Sequence, residues 1–284
     1  MMYTSTLVLE GGALRGIFTS GLVDYFMEQK LEFSDLIGVS AGSFNGINYL
    51  SQQIGRTKTC VMADGKDDNC VSIKNFITQR QLIDFDKTFI TFSNERFLYD
   101  YDGFFKSDMN IEIVATNCLT GRPEYLVPTT NDEIMLYCRA SCSMPILVNM
   151  VDIGDVPYLD GGISAAIPVE YVMEKEFDKN VFILTRPKGF RKPTPSIATL
   201  KVQHKMYEKY PELLHTLKTS NKRYNMILDY IDKLEEEGKI FVIRPTEKPV
   251  SHFENDPDKL NAFYMHGYKT AKKEYSKLIE YLEK

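Results

Sequence analysis

Residues 33–42 run Phe-Ser-Asp-Leu-Ile-Gly-Val-Ser-Ala-Gly, and this stretch decides the fold. The apolar run before the serine predicts a strand, and the apolar spacing within 44–50 predicts a helix directly after it. Between them, Gly38, Ser40 and Gly42 form the pattern G-x-S-x-G, which is typical of a sharp strand-to-helix turn that exposes a serine hydroxyl. The stretch therefore predicts an α/β sheet with a candidate nucleophile at the end of one strand.

A second strand–turn–helix unit precedes this one. Residues 4–9 favour a strand that ends in Glu-Gly-Gly at 10–12, and apolar residues recur at helical spacing over about 15–30. Two strands separated by a helix of this length indicate a βαβ unit. We therefore expect a parallel sheet with helices on its faces.

The rest of the chain alternates between short strands and longer helices. We expect a polar, loop-rich segment over 55–86 with a short helix near 73–79, and a core strand over 109–115. A turn at 120–122 predicts a hairpin into 124–127, and Thr-x-x-Glu at 130–133 predicts a capping box that opens a helix through about 141. Further strands are predicted over 181–185 and 239–243, and helices over 195–237 and 258–284.

The composition is that of an ordinary globular protein. Of 284 residues, 43% are hydrophobic and 26% are charged, so the chain can bury a core without metal or disulfide crosslinks. The formal net charge of −5 argues against a nucleic-acid-binding protein, which would normally carry a basic surface. We therefore expect no nucleic-acid partner.

Cysteine usage and hydropathy indicate where the protein works. The five cysteines have no metal-ligand spacing and are expected to be thiols in a reducing compartment. The first twelve residues lack the features of a signal peptide, and no apolar run reaches the roughly 18 residues of a membrane span. We expect a cytoplasmic protein, with transient contact at membrane surfaces as a further option.

Residues 10–16, Glu-Gly-Gly-Ala-Leu-Arg-Gly, form a glycine-rich turn between the first strand and the first helix. The backbone N–H groups of such a turn converge on one point, as in a phosphate-binding loop or an oxyanion hole. The phosphate hypothesis has little support, because no Lys-Ser or Lys-Thr pair is present and Ala13 interrupts the spacing G-x-G-x-x-G. A tight turn that simply requires glycine is an equally good interpretation of this loop alone.

A third motif, Asp160-Gly161-Gly162, follows a short apolar run. It can place a carboxylate at the end of a strand beside bare backbone. Taken by itself, an ordinary Asp-Gly turn is the better interpretation.

Together, these motifs resemble those of the patatin-like phospholipase family. That family is marked, in this order, by a loop G-G-G-x-R/K-G, an elbow G-x-S-x-G and a motif D-G-G/A. Here the three motifs lie at 11–16, 38–42 and 160–162, and residues 139–145 are similar to the family's A-S-x-x-x-P segment. Ala13 stands where the family has its third glycine.

The resemblance implies a three-layer α/β/α sandwich with a mainly parallel central sheet. No internal repeat or linker divides the chain, so we expect one patatin-like domain over residues 1–284. Its motif-bearing part covers about 4–169, and strands and helices over 170–284 complete it.

The resemblance also implies a dyad in which Asp160 accepts the Ser40 proton with no histidine between them. The oxyanion hole would then consist of the backbone amides of Gly11, Gly12 and Ala13. Alanine keeps the amide donor but resists a positive φ, so the loop geometry is expected to depend on Ala13. Residues expected to support the site are Arg15, Gly16, Gly38, Gly42, Gly161 and Gly162.

Arg15 has three interpretations: it braces the loop, meets an anionic head group, or lies on the surface without a role. The chain order Ser–Asp–His also leaves open a triad that uses a histidine beyond Asp160. The candidate histidines are His204, His215, His252 and His266.

By resemblance, the partner is a lipid or other acyl-ester substrate, such as a phospholipid, lysophospholipid or glyceride. No cofactor and no metal is expected, because the acidic clusters lack a calcium-loop spacing. The predicted function is ester hydrolysis through an acyl-enzyme on Ser40. The alternatives are a non-catalytic lipid-binding module of the same fold and an acyltransferase.

Overall fold

The computed structural model describes residues 2–63, 86–175 and 177–284. The helix predicted near 73–79, and most of the loop predicted over 55–86, lie outside these residues. Where that segment is described, Arg56–Val61 is a helix and not a loop. Arg56 is buried there, with its guanidinium over the rings of Phe44 and Tyr99. These contacts stabilise a helical turn that a polar composition does not predict.

The N-terminal elements confirm the two predicted strand–turn–helix units. They are strand β1 (Met2–Leu9), a 3₁₀ turn (Ala13–Arg15), helix α1 (Gly16–Glu28), strand β2 (Glu32–Val39), helix α2 (Ala41–Leu50) and helix α3 (Arg56–Val61).

The middle of the chain contains both predicted and unpredicted elements. They are a π-helical segment (Asp86–Arg96), helix α4 (Tyr101–Lys106), strands β3 (Asn110–Asn117) and β4 (Pro123–Leu126), helix α5 (Asn131–Cys142), strands β5 (Val151–Ile153) and β6 (Val156–Asp160), and helices α6 (Gly162–Ala165) and α7 (Val169–Glu174). The predicted capping box is present, since Thr130 accepts from the Glu133 amide and Glu133 accepts from the Thr130 amide.

The C-terminal part adds two strands and three helices to the described fold. They are strand β7 (Asn180–Ile183), helices α8 (Ile197–Tyr207) and α9 (Pro211–Glu236), strand β8 (Phe241–Ile243) and helix α10 (Pro257–Glu283). Helix α10 packs directly on α1. A Cβ on Gly21 would lie 2.2 Å from the Tyr264 carbonyl oxygen, and one on Gly267 would lie 2.0 Å from that of Phe18, so this crossing requires glycine on both helices.

The described strands form one sheet in the order β5-β6-β3-β2-β1-β7-β8, with β4 also paired to β3. Strands β3, β2, β1, β7 and β8 are parallel, whereas β4, β5 and β6 enter through antiparallel pairs. Side chains alternate across the sheet. Leu7 and Leu9 face the layer that contains α1, α2 and α10, and Val8 faces the layer that contains α7 and α9. The predicted three-layer α/β/α sandwich is confirmed.

Sheet register brings the serine and aspartate motifs together. Val39 at the end of β2 lies beside Val114 of β3, and Ala115 of β3 lies beside Asp160 at the end of β6. Because Val114 and Ala115 are consecutive, Asp160 lies across β3 from the residue that follows Val39, at the same end of the sheet. That residue is Ser40.

Candidate active site

Ser40 occupies a sharp turn between β2 and α2. Its backbone has φ 53° and ψ −125°, a conformation that non-glycine residues rarely adopt. A Cβ on Gly42 would lie 2.1 Å from the Leu9 carbonyl oxygen, so only glycine lets α2 begin this close to the end of β1. The turn has the strained geometry that the G-x-S-x-G pattern predicts.

Ser40 and Asp160 are in direct contact. The Ser40 hydroxyl donates a 2.7 Å hydrogen bond to Oδ2 of Asp160, and the Gly162 amide donates one of 2.7 Å to Oδ1. Each of the two side chains is only 7% exposed. Both carboxylate oxygens are therefore held, one by the hydroxyl and the other by backbone.

The environment of Asp160 raises the pKa of its carboxyl group. Burial raises the pKa of Asp160 to about 6, while the hydrogen bonds from Ser40 and Gly162 and the Lys192 ammonium oppose that rise. The carboxylate is therefore mostly ionised at neutral pH but more basic than an ordinary aspartate. This is the property expected of a general base.

Ser141 holds the turn from the opposite side. Its hydroxyl accepts a 2.8 Å hydrogen bond from the Ser40 amide and donates one of 2.6 Å to the Val114 carbonyl. Ser141 lies within the segment 139–145 that was noted in the sequence, but it was not predicted to belong to the site. No pattern in a single sequence indicates this contact.

The glycine-rich loop lies against the serine. A Cβ on Gly11 would be 2.8 Å from Cβ of Ser40, so any side chain there would collide with Ser40. Among the described residues, the backbone amides of Gly11, Gly12 and Ala13 have no hydrogen-bond acceptor. Ala13 has φ 50°, so the alanine adopts the left-handed conformation that it was expected to resist. The loop thus offers amide donors beside Ser40.

A buried carboxylate anchors this loop to the C-terminal part of the chain. Glu10 is 3% exposed, and its Oε2 accepts from the Thr185 amide at 2.6 Å and hydroxyl at 3.1 Å. Its Oε1 accepts a 2.6 Å hydrogen bond from the Tyr224 hydroxyl. Sequence reasoning noted Glu10 only as the first residue of the glycine-rich stretch, and it missed Thr185 and Tyr224, which lie far from Glu10 in the chain and match no motif.

Arg15 is buried, so a surface position without a role is excluded. It is 5% exposed, and its Nη2 lies 2.9 Å from Nε2 of His252. Burial, followed by the charges of Arg15, Arg186 and Lys192, lowers the pKa of His252 to about 4. The neutral ring therefore accepts a hydrogen bond from the guanidinium.

The histidines do not join the serine and the aspartate. Within residues 2–63, 86–175 and 177–284, no histidine forms a hydrogen bond with Ser40 or Asp160. His252 contacts Arg15, and His266 accepts from the Thr246 amide at 3.1 Å. The geometry gives no support to the alternative of a Ser–Asp–His triad.

The remaining supporting glycines pack tightly around the same point. A Cβ on Gly16 would lie 2.7 Å from Cβ of Ala41, one on Gly38 2.5 Å from Cα of Ser43, one on Gly161 2.1 Å from the Val114 carbonyl oxygen, and one on Gly162 3.0 Å from Oδ1 of Asp160.

The described residues contain no group of His, Cys, Asp and Glu side chains that could hold a metal ion. Nor is any described helix long and apolar enough to span a bilayer.

A cavity of about 550 Å³ borders this centre. Its lining includes Gly162, whose amide donates to Asp160, and Tyr224, whose hydroxyl donates to Glu10, but not Ser40 or Asp160 themselves. The cavity therefore adjoins the site on the side of the aspartate.

Two family models match the chain. The model described as Patatin-like phospholipase matches residues 7–173, and one described as Domain of unknown function (DUF6363) matches residues 210–283.

Individual proteins are also similar to this chain. It is 32% identical over 185 residues, 64% of its length, to Uncharacterized protein YjjU of Escherichia coli (strain K12), and the match covers 52% of that relative. The chain therefore spans about half the length of this curated relative. Among solved structures, VipD from Legionella pneumophila aligns with 99% of this chain and 67% of its own, with 12% sequence identity and a TM-score of 0.48.

Proposed function

Because this chain belongs to the patatin-like phospholipase family, we propose that it hydrolyses acyl esters of lipids, with Ser40 as nucleophile and Asp160 as its base. The observation that carries this proposal is the 2.7 Å hydrogen bond from the Ser40 hydroxyl to Asp160. A serine becomes nucleophilic when a neighbouring base accepts its proton, and here the base is in direct contact.

The reaction proceeds in two halves. The Ser40 oxygen attacks the acyl carbonyl while Asp160 accepts the hydroxyl proton, and Asp160 then passes this proton to the departing alcohol. Water next attacks the acyl-serine, gives its proton to Asp160, and releases the fatty acid as Ser40 recovers a proton. No metal or cofactor takes part in either half.

The glycine-rich loop stabilises the charge that develops on the carbonyl oxygen. The amides of Gly11, Gly12 and Ala13 form the oxyanion hole in this proposal, and the unoccupied donors of the loop support that role. Ser40 also lies at the N-terminus of α2, where the helix dipole favours negative charge.

The test is hydrolysis of p-nitrophenyl esters of increasing chain length by the wild type and single variants. Ser40→Ala and Asp160→Asn are expected to lose turnover by about 10³-fold or more. Ser276→Ala, at an exposed position of α10, serves as the matched serine control and should retain it. Replacing each of the four histidines by alanine should also leave turnover in place.

Other results would overturn the proposal in distinguishable ways. A folded histidine variant without activity would favour a triad. Lipid binding without hydrolysis by the wild type would favour the non-catalytic module. Acyl products formed on an added alcohol, in place of free fatty acid, would favour a transferase.

A further inference from the structure

Positive charges gather beside the glycine-rich loop. Arg15 belongs to the 3₁₀ turn after this loop, and Arg186 and Lys192 belong to the connection between β7 and α8. Each of the three cations lies within electrostatic range of the other two. We call this group the cation cluster.

An aromatic platform fixes two of these cations. The Arg186 guanidinium lies 4.3 Å from the centre of the Phe190 ring, and the Lys192 ammonium lies 3.9 Å from that of Tyr224. The two rings are neighbours, with centroids 6.4 Å apart. Tyr224 also donates its hydroxyl to Glu10, the residue before the loop, so the platform is joined to the loop itself.

The cluster lacks enough negative charge to balance it. In the described part of the chain, none of the three cations forms an ion pair with a carboxylate. Glu10 is close, but its oxygens accept from Thr185 and Tyr224. Arg15 is 95% buried, and its Nε has no hydrogen-bond partner. Burying an arginine that has an unpaired N–H donor and no counterion costs free energy, and a bound anion would offset that cost.

The cluster is also close to the catalytic carboxylate. Burial lowers the pKa of Lys192, and the attraction of Glu10 and Asp160 for its ammonium opposes that change. An anion bound by the cluster would therefore sit beside the ester that Ser40 attacks.

We propose that Arg15, Arg186 and Lys192 bind a phosphate group on the alcohol half of the substrate, so that the preferred substrate is an acyl ester bearing a phosphomonoester. This inference rests on the proposed function. The three cations outnumber the nearby carboxylates of Glu10 and Asp160 by one, so the cluster keeps a net positive charge that attracts a phosphomonoester, which carries about −1.5 to −2 at pH 7. Guanidinium groups are suited to phosphate because their parallel donors can bind two oxygens at once.

Competing lipids fit the cluster less well. An uncharged glyceride leaves the cation cluster, including the buried Arg15, without a counterion. A choline phosphodiester brings a single negative charge together with a quaternary ammonium, which the cluster repels. The phosphomonoester is therefore the class that the charges favour.

The first arm of the test measures kcat/KM for three monomeric substrates with one acyl chain: an acylglycerol phosphate, an acylglycerophosphocholine and a monoacylglycerol. The wild type should prefer the phosphomonoester. Arg186→Gln/Lys192→Gln should lower the ratio of kcat/KM on the phosphomonoester to kcat/KM on the monoacylglycerol about 10- to 100-fold, because any effect of Lys192 on Asp160 is common to both substrates. Lys273→Gln, a 77% exposed site on α10, is the matched control and should change neither value.

The second arm needs no turnover. Glycerol phosphate and inorganic phosphate are titrated calorimetrically into Ser40→Ala protein with and without the two cluster substitutions, and circular dichroism checks that each variant is folded. Binding of glycerol phosphate that disappears with the substitutions supports the inference, even if the wild type hydrolyses no ester and the proposed function fails.

Two outcomes overturn the inference. Ser40-dependent hydrolysis of all three substrates at equal kcat/KM would leave the proposed function standing without the phosphate subsite. Binding of inorganic phosphate together with no preference among the lipids would make the cluster a site for a free anion. The first of these outcomes is measured on the wild type alone, so a variant that fails to fold cannot obscure it.

Discussion

The turn at Ser40 and the glycine-rich loop are neighbours in space, but different parts of the chain hold them. The turn at Ser40 is fixed by Ser141 and Asp160, which both lie within the segment 7–173 matched by the family model. Its geometry therefore depends on the part of the chain that this family model matches.

The glycine-rich loop, by contrast, is anchored from beyond that segment. Glu10 is held by Thr185 and Tyr224, and Arg15 is held by His252. Tyr224 and His252 fall within 210–283, the region matched by the model of unknown function. The turn at Ser40 and the glycine-rich loop thus have different anchors, and we expect substitutions at the anchors of the loop to affect Ser40 less than substitutions at Ser141 or Asp160 do.

The largest expected effect is the loss of kcat on changing Asp160, which holds the turn at Ser40. Asp160→Asn should lower kcat by at least about 10³-fold, since the amide cannot accept the Ser40 proton. Steady-state hydrolysis of a p-nitrophenyl ester measures it. Asp152→Asn on β5 is the matched, exposed control, and equal losses in the two variants would contradict the role of Asp160.

The same substitution should act in the opposite direction on stability. Because burial raises the pKa of Asp160 to about 6, the charged form is disfavoured in the folded state. The contribution of Asp160 to stability is thus complete below the ordinary pKa of an aspartate, and it is lost as the pH rises through about 6. At pH 8, Asp160→Asn should raise the free energy of unfolding by roughly 1–3 kcal/mol. Urea unfolding tests this, and a fall in stability would contradict it.

A smaller effect is expected on the loop side. Tyr224→Phe removes one donor from the buried Glu10 carboxylate, and kcat should fall about 3- to 10-fold with KM nearly unchanged. Tyr230→Phe on the same helix is the matched control. If Tyr224→Phe leaves kcat unchanged while lowering the melting temperature, the anchor is structural only, and the comparison between the two regions fails.

The smallest expected effect comes from Ala13→Gly. The alanine has φ 50°, and glycine adopts this conformation without steric cost, so stability should rise by no more than about 1 kcal/mol. Because the amide remains, kcat should stay within about threefold of the wild type. Thermal unfolding and ester hydrolysis measure both. A large loss of kcat would show that the alanine methyl group itself shapes the oxyanion hole.

Much of the turn at Ser40 could be predicted from the sequence. The G-x-S-x-G pattern sits between a strand and a helix that both formed, and this local order determines the turn. The meeting of Ser40 and Asp160 followed from family resemblance and not from local pattern, because it depends on the register of β2, β3 and β6.

The anchors of the loop could not be predicted. Glu10 and Tyr224 are 214 residues apart, and Arg15 and His252 are 237 apart, so no local periodicity links them. A buried charge also looks like a surface charge in a sequence. Arg15 had three open interpretations for that reason, and its burial excluded only the surface position without a role.

The most direct test of the central claim, that Asp160 alone activates Ser40, is the rate of covalent labelling by a fluorophosphonate as a function of pH, with the labelled residue identified by mass spectrometry. Wild-type protein should label at Ser40, and the rate should fall as pH drops through about 6, because Asp160 becomes protonated and can no longer accept the proton. At pH 8, Asp160→Asn should label at least about 10²-fold more slowly than the wild type, and the difference should shrink as the pH falls below about 6. Equal labelling rates in the two proteins, or labelling at another residue, would contradict the account.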